Sequence, residues 1–398
     1  MPFVERRKID MEDFLEIQNI ILEYKRKTYP YDGENWYYNY IKDSFPKCDE
    51  VCIYPLGNSA INLYSQLKDK LNVCYMSDGN EKKIEEYKRK NAISGVEILD
   101  EDSLYKKKNH ILIIVSSVYH GEICHELQEK GFPYVYRILE RQLEFQNKLK
   151  KMEILGIEKN LRQVYELVGD EMSRKVIKTI AKFLFLYEDN TNYWDSVYDK
   201  KQYFPQDIIK LTDKEVFCDV GAYDGDSFKL FLNEMQSIQE EFCGAHLFEL
   251  SKKNYDILKN NISHYSKTIQ DKVKCWNIGL SDKEKQIKYL DLDEQSTTRI
   301  INTVNTQHGK IIPLDTIRKQ IQPTYIKMDI EGEEYAALNG AKTTIYEYEP
   351  KLGICTYHNI EDIWRIPQFI NSCNKKYEIF FRHHSQSAIE TVCYAVIK

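Results

Sequence analysis

Hydrophobic residues in this 398-residue chain gather into short continuous runs, each followed by a stretch whose apolar positions recur at helical spacing. Such runs read as strands buried on both faces, the kind found in parallel sheets flanked by helices. In the C-terminal half the strands predicted are Val216 to Val220, Gly244 to Leu250, Val273 to Leu280, Tyr325 to Gly332 and Leu352 to His358, with Thr391 to Ile397 as a final strand. A helix of about a dozen residues follows Ser251. In the N-terminal half the pattern predicts an amphipathic helix from Met11 to Lys27, then strand Val51 to Tyr54, a turn at Gly57 and helix Ser59 to Lys70. Strand Val73 to Met76, strand Ile111 to Ser117, helix His120 to Lys130 and strand Tyr134 to Ile138 complete it. From Leu139 to about Leu186 the pattern is helical with few breakers. The expectation is therefore an α/β chain in three parts: an accessory domain at 1–138, a helical connector at 139–212 and a second α/β domain at 213–398. No internal repeat interrupts this order.

The segment richest in chemistry is VFCDVGAYDGDS, Val216 to Ser227, a buried strand leading through a glycine-bearing turn into a helix. Gly221 and Gly225 permit backbone conformations that a Cβ penalises and let a ligand approach closely. Asp226 or Ser227 can cap the helix, and the turn amides form a cradle for a carboxylate or phosphate. The phosphate option is the weaker, because a dinucleotide site uses GxGxxG, whereas GAYDG spaces its glycines by three residues and carries Asp224 where a pyrophosphate would be repelled. The pattern favours S-adenosylmethionine, which has one carboxylate, one ammonium and no phosphate. Glu249, about thirty residues after the turn, closes the next strand where a carboxylate can take both ribose hydroxyls. Asp329 and Glu331 arrive at the carboxyl end of a later strand, where open α/β sheets bind ligands.

These residues resemble the FkbM-type methyltransferases, a branch of the class I S-adenosylmethionine-dependent superfamily. The resemblance rests on VFCDVGAYDGDS, HLFELS, NIGLSD, IPLDTI, TYIKMDIEGEE, PKLGICTYHNIEDIW, FFRHHS and ETVCYAV in this order, over about residues 200 to 398. It implies a Rossmann-like seven-stranded sheet whose last strand is antiparallel. Carried onto this chain, it implies cofactor contacts from Asp219, Gly221, Ala222, Tyr223, Asp224, Gly225, Ser227, Glu249, Leu250, Asn277 and Asp329, and catalytic roles for Asp329 and His358. Leu250 stands where many relatives have proline. Structural alternatives stay open: Asp219 could satisfy loop amides, Asp224 could cap a helix, and Asn277 could be a turn residue or face the adenine. Glu331 and Glu333 divide between a site contact and the first helical turn. Methyl transfer is an in-line displacement, so placement of the acceptor comes first and removal of its proton second. Asp329 could hold the methionine ammonium, hold the acceptor hydroxyl, or act as base if burial raises its pKa. His358 is the favoured base, since an unperturbed imidazole titrates near 6.5; a hydrogen-bonded structural role is the alternative. Arg382, His383, His384 and Glu390 are expected to form an acceptor-facing edge. The implied acceptor is a hydroxyl on a glycan or on a small-molecule secondary metabolite, with N-methylation a second option.

Acids outnumber bases by 62 to 56, for a net charge of −6, so a nucleic-acid footprint is not expected. The basic runs Lys106 to Lys108 and Lys148 to Lys151 read as solvated faces. No run approaches the roughly 18 to 20 apolar residues that span a bilayer, and the charged stretch from Met1 to Asp10 is unlike a signal peptide, so the expected location is cytoplasmic. Ten cysteines occur without CxxC pairs; zinc and other metals are not expected, and Cys218, Cys275 and Cys355 read as thiols inside strands. In the N-terminal Rossmann-like unit, Asp78 follows Gly57 by about twenty residues, but the single glycine of YPLGNSA is a poor fingerprint, and a scaffold is the simpler reading. Two rival classes are a nicotinamide-dependent sugar-nucleotide enzyme, which lacks GxGxxG, and a non-catalytic cofactor-binding scaffold, which would be free to lose Asp219, Gly221, Glu249 or Asp329. All four are present.

Overall fold

A computed structural model of the chain describes residues 11–28, 36–90, 93–117, 120–138, 148–149, 152, 154–185, 192–291, 298–300, 307–385 and 389–397. Contacts divide the chain into two units, Met1–Lys159 with Lys178–Ser196, and Asn160–Ile177 with Val197–Lys398. Among the described residues no helix is long and apolar enough to cross a membrane.

The first unit is built on five parallel strands, β1 (Glu50–Tyr54), β2 (Val73–Ser77), β3 (Glu97–Leu99), β4 (Ile111–Val115) and β5 (Val135–Arg137), in the order β3-β2-β1-β4-β5. β1 and β4 are apolar almost throughout and lie at the centre. The edge strand β3 and the helix Glu81–Lys90 before it escaped the hydrophobic pattern, because the strand has three residues and the helix is almost entirely charged. Asp78 is buried after β2; its Oδ2 pairs with Lys83 Nζ at 2.9 Å and its Oδ1 accepts from the Asn80 amide.

The second unit holds the expected seven-stranded sheet. Its strands are β6 (Val216–Val220), β7 (Gly244–Phe248), β8 (Val273–Trp276), β13 (Tyr325–Met328), β14 (Lys351–Cys355), β15 (Glu378–His383) and β16 (Thr391–Val396), in the order β15-β16-β14-β13-β6-β7-β8. The five central and right-hand strands run parallel, and β16 is antiparallel to both of its neighbours. Beneath the sheet centre Phe217 stacks on Phe231 at 4.7 Å, with Phe204, Phe228 and Tyr325 packed around them.

Between β8 and β13 the chain departs from expectation. The strand predicted from Val273 to Leu280 ends at Trp276, where the Asn277 side-chain amide turns back to donate to the carbonyls of Glu249 and Leu250 at 3.0 and 3.1 Å. Gly279–Leu280 becomes β9 of a separate sheet, completed by β10 (Lys285–Asp291), β11 (Thr298–Ile300) and β12 (Gln307–Ile312) in the order β11-β10-β12-β9. Leu250 packs on this sheet so closely that a Cβ at Gly309 would lie 2.7 Å from its Cδ1. The helical stretch expected after Leu139 also breaks. Helices Ile154–Leu167 and Glu171–Phe185 are separated where Gly169 donates its N–H to the Ile379 carbonyl at 2.8 Å, and Asp170 restarts the helix by accepting from the Ser173 amide. Residues 139–147 and Leu186 lie outside the described residues.

The strand order reverses between β6 and β13, and register places Lys327 directly beside Asp219 there. Both side chains are buried, 2% and 0% exposed, with Lys327 Nζ 2.9 Å from Asp219 Oδ1 and donating to the Gly221 carbonyl at 2.8 Å. Burial pushes the Asp219 carboxyl up to about 6 against the pull of Lys327, so the pair is ionised at neutral pH. Removing one partner of a buried pair strands the other charge. Lys327→Met is therefore expected to cost about 3–5 kcal/mol in chemical denaturation, and adding Asp219→Asn to recover part of it; a loss no larger than the roughly 0–1 kcal/mol of a surface pair would contradict this role.

Candidate active site

The ligand edge of the second unit is assembled by the turns that follow β6, β7, β13 and β14 and by the turn that enters β16. After β6 the chain turns at Gly221 with φ +81°, and a Cβ there would lie 1.9 Å from the Asp329 carbonyl oxygen. Glycine is thus required by the approach of the β6 and β13 turns to each other. The Gly221 and Ala222 amides both donate to the Phe248 carbonyl, and the Gly225 amide to Ala222. Glu249 is buried at the end of β7; one carboxylate oxygen accepts from the Tyr223 amide at 2.9 Å and the other from the Ser251 amide at 2.8 Å. Its position tethers the glycine turn to the next strand. Asp224 is half-buried, with Oδ1 accepting from the Asp226 amide, and Ser227 is buried in the first turn of helix Asp226–Ser237. Both Asp219 oxygens are fully buried and receive no hydrogen bond, Lys327 being the one cation beside them. Asn277 spends its amide on the Glu249 and Leu250 carbonyls, the turn role.

A second cluster centres on Asp329, one residue beyond β13. Its carboxylate accepts from the Tyr203 hydroxyl at 2.9 Å and the Tyr357 hydroxyl at 3.1 Å, and His358 Nε2 lies 3.5 Å away. Burial would raise its pKa, but His358, Lys327 and the two hydroxyls outweigh burial and hold it below the ordinary value. His358 itself is 2% exposed, with Nδ1 2.8 Å from Glu334 Oε1 and Nε2 3.5 Å from Glu331 Oε2. Burial alone would depress the imidazole; Glu334, Asp329 and Glu331 reverse that and push it up to about 9. A histidine so placed holds a proton at neutral pH, so the geometry does not favour the general-base role expected from its unperturbed pKa. Asp329, Glu334 and His358 each offer a donor atom within 4.8 Å of the others.

Glu390 joins this cluster, while the residues expected beside it do not. It accepts from the Gln202 side-chain amide and from the Tyr357 hydroxyl at 3.4 Å; burial first, and Asp329 second, push its carboxyl up to about 7. Arg382 is instead a buried anchor paired with Asp170 at 2.5 Å and with Asp207. His383 Nδ1 meets the Thr391 hydroxyl at 2.7 Å, and His384 lies between the Asp199 carbonyl and the Tyr394 hydroxyl, both at 2.8 Å. These are structural contacts, and they do not join the acceptor-facing edge expected of Arg382, His383 and His384. Glu331 faces His358, whereas Glu333 stands at the N-cap of helix Glu334–Asn339.

The sequence pattern did not single out Lys327, Tyr203, Tyr357 or Glu334. Only Lys327 carries a readable signal, a lysine between Ile326 and Met328 inside an apolar strand. Among the described residues seven non-glycine residues have positive φ, and four of them, Tyr203, Tyr223, Glu331 and Glu390, lie in these two clusters. Backbone strain of that kind gathers at functional sites.

Residues 219–377 match the family model described as Methyltransferase FkbM domain. The crystal structure of Methyltransferase FkbM from Methylobacillus flagellatus KT is similar to this chain, with a TM-score of 0.70 at 17% sequence identity, over 96% of this chain and 100% of that one. At that identity the likeness is one of fold. The citrinin polyketide synthase CMeT domain aligns over 97% of this chain and 95% of its own at 9% identity, and its TM-score of 0.29 carries no argument. No curated protein sequence matches.

Proposed function

Because residues 219–377 match the FkbM methyltransferase domain model, we propose that this chain transfers the methyl group of S-adenosylmethionine to a hydroxyl of a glycan or small-molecule acceptor. The observation that carries this reading is the acid-lined turn at the β6 and β13 order reversal, where buried Asp219, paired with Lys327 at 2.9 Å, stands beside the Gly221 turn and Glu249. Acids in this number suit a ligand with an ammonium and a sulfonium and repel a pyrophosphate. The cofactor supplies, when bound, a methyl group already activated on sulfur.

The chain's own residues then have separable tasks. Asp219, Gly221, Ala222, Tyr223, Asp224, Gly225 and Ser227 shape the turn, and Glu249 presents its carboxylate to the ribose hydroxyls, with Leu250 packed behind it. Asp329, fixed by Tyr203 and Tyr357, orients the acceptor hydroxyl or the cofactor ammonium. Glu390, poised near neutrality, is the better proton acceptor than His358. The cytoplasm is the compartment this reading requires, where the cofactor is available and the ten free cysteines stay reduced.

The direct test is transfer of labelled methyl from S-adenosylmethionine to a panel of hydroxyl-bearing glycans and metabolites; absence of transfer to every acceptor, with no cofactor binding, would overturn the reading. Glu249→Ala is expected to weaken S-adenosylhomocysteine binding at least about tenfold, since charge-assisted hydrogen bonds contribute roughly 1.5–3 kcal/mol each. Calorimetry showing unchanged affinity would remove the ribose assignment. For Glu390 the base must be ionised, so turnover should rise as pH increases through about 7 and level off above it. Glu390→Gln should lose that rise and about a hundredfold in kcat, with cofactor affinity retained; an unaltered pH profile would assign the proton to another group.

A further inference from the structure

We propose that Asp329, Glu334 and His358 form a binding site for a divalent transition-metal cation. The three side chains come from separate places: Asp329 follows β13, Glu334 opens helix Glu334–Asn339, and His358 follows β14. Their donor atoms nevertheless lie within 4.8 Å of one another. Ligand atoms bound to one ion at about 2.0–2.2 Å are separated by at most about 4.4 Å, so closure on an ion needs movements of roughly half an ångström. The separation of 3.5 Å from His358 Nε2 to Asp329 Oδ1 already falls inside that span, and the other ring nitrogen, Nδ1, lies 2.8 Å from Glu334 Oε1.

An independent observation points to a missing partner. The Glu334 side chain is 0% exposed and its Oε2 receives no hydrogen bond, while neither nitrogen of the 2%-exposed His358 makes one of acceptable geometry. Leaving a buried polar atom unsatisfied is costly. Asp329, Glu331 and Glu334 all face this one imidazole, and the nearby Lys327 is committed to Asp219 and the Gly221 carbonyl.

The frame around the three ligands is fixed, as a metal site requires. Tyr203 and Tyr357 donate to Asp329, and the Ile330 amide donates to Glu334 Oε1 at 2.8 Å. Positive φ at Glu331, 58°, and at Gly332, 104°, bends the segment so that residues 329, 331 and 334 all turn toward His358. One imidazole with carboxylate oxygens suits Mn²⁺, Fe²⁺ or Zn²⁺ better than Mg²⁺, which prefers an octahedron of oxygens and water. The site goes beyond the methyl-transfer reading and is measured without an acceptor.

The test is titration of the chelator-treated full chain with MnCl₂, following free Mn²⁺ by electron paramagnetic resonance. One equivalent is expected to bind at micromolar free ion, to be displaced by Zn²⁺, and to raise the melting temperature by linkage. Glu334→Gln and His358→Asn should each weaken binding at least about tenfold, while Glu240→Gln, an exposed acid elsewhere, should not. S-adenosylhomocysteine binding by the same variants shows whether they are folded. Absence of stoichiometric Mn²⁺ binding to the unsubstituted protein would overturn the proposal, as would undiminished binding by both folded variants. Cofactor binding without metal sinks this site alone, and metal binding without cofactor sinks the cofactor reading alone.

Discussion

The buried pair between Lys327 and Asp219 is the constraint on which the C-terminal unit's ligand edge depends. It joins β6 to β13 where the strand order reverses, the place at which an open α/β sheet leaves a crevice. Lys327 also donates to the Gly221 carbonyl and lies 5.2 Å from the centre of the Tyr203 ring. Tyr203 in turn donates to Asp329. One lysine thus connects the glycine turn to the acid cluster, and the 1.9 Å approach of a Gly221 Cβ to the Asp329 carbonyl measures how closely the two turns are pressed together.

Strain around this centre is uneven in an informative way. Gln322 and Glu349 use positive φ to close helices, an ordinary C-terminal role. Tyr203, Tyr223, Glu331 and Glu390 do not end helices, and each conformation costs about 1–3 kcal/mol unless its surroundings impose it. The surroundings do so through the Tyr394 hydroxyl on the Tyr203 amide, Glu249 on the Tyr223 amide, and Gln202 on Glu390. The same hydrogen bonds that hold the strain also aim the acids.

Legibility in the sequence followed burial. Strands β6, β7, β13 and β14 are continuous apolar runs, so the central sheet could be read directly, and the acids ending them marked the ligand edge. The small sheet could not be read, because β10, with the sequence KQIKYLD, mixes its few apolar residues among polar ones and lacks the continuous apolar run of the central strands. Asn277 marks that boundary, yet its two backbone contacts become visible only in three dimensions. His358 shows the limit most clearly: its type and position suggested an ordinary imidazole, whereas Asp329, Glu331 and Glu334 gather around it in three dimensions and push its pKa up to about 9. Glu390 was expected at an acceptor-facing edge, whereas Tyr203, far apart in sequence from Asp329, carried no local signal for the cluster it joins.

The central claim is that the turn after β6 and the acid after β7 hold the methyl donor. A crystal structure of the full chain grown with S-adenosylhomocysteine tests it most directly. The ligand is expected at the carboxyl ends of β6 and β7, with its ribose hydroxyls on Glu249 and its amino acid end beside the Gly221 turn. Ligand density confined to the N-terminal unit, or a ribose that makes no contact with Glu249, would contradict it.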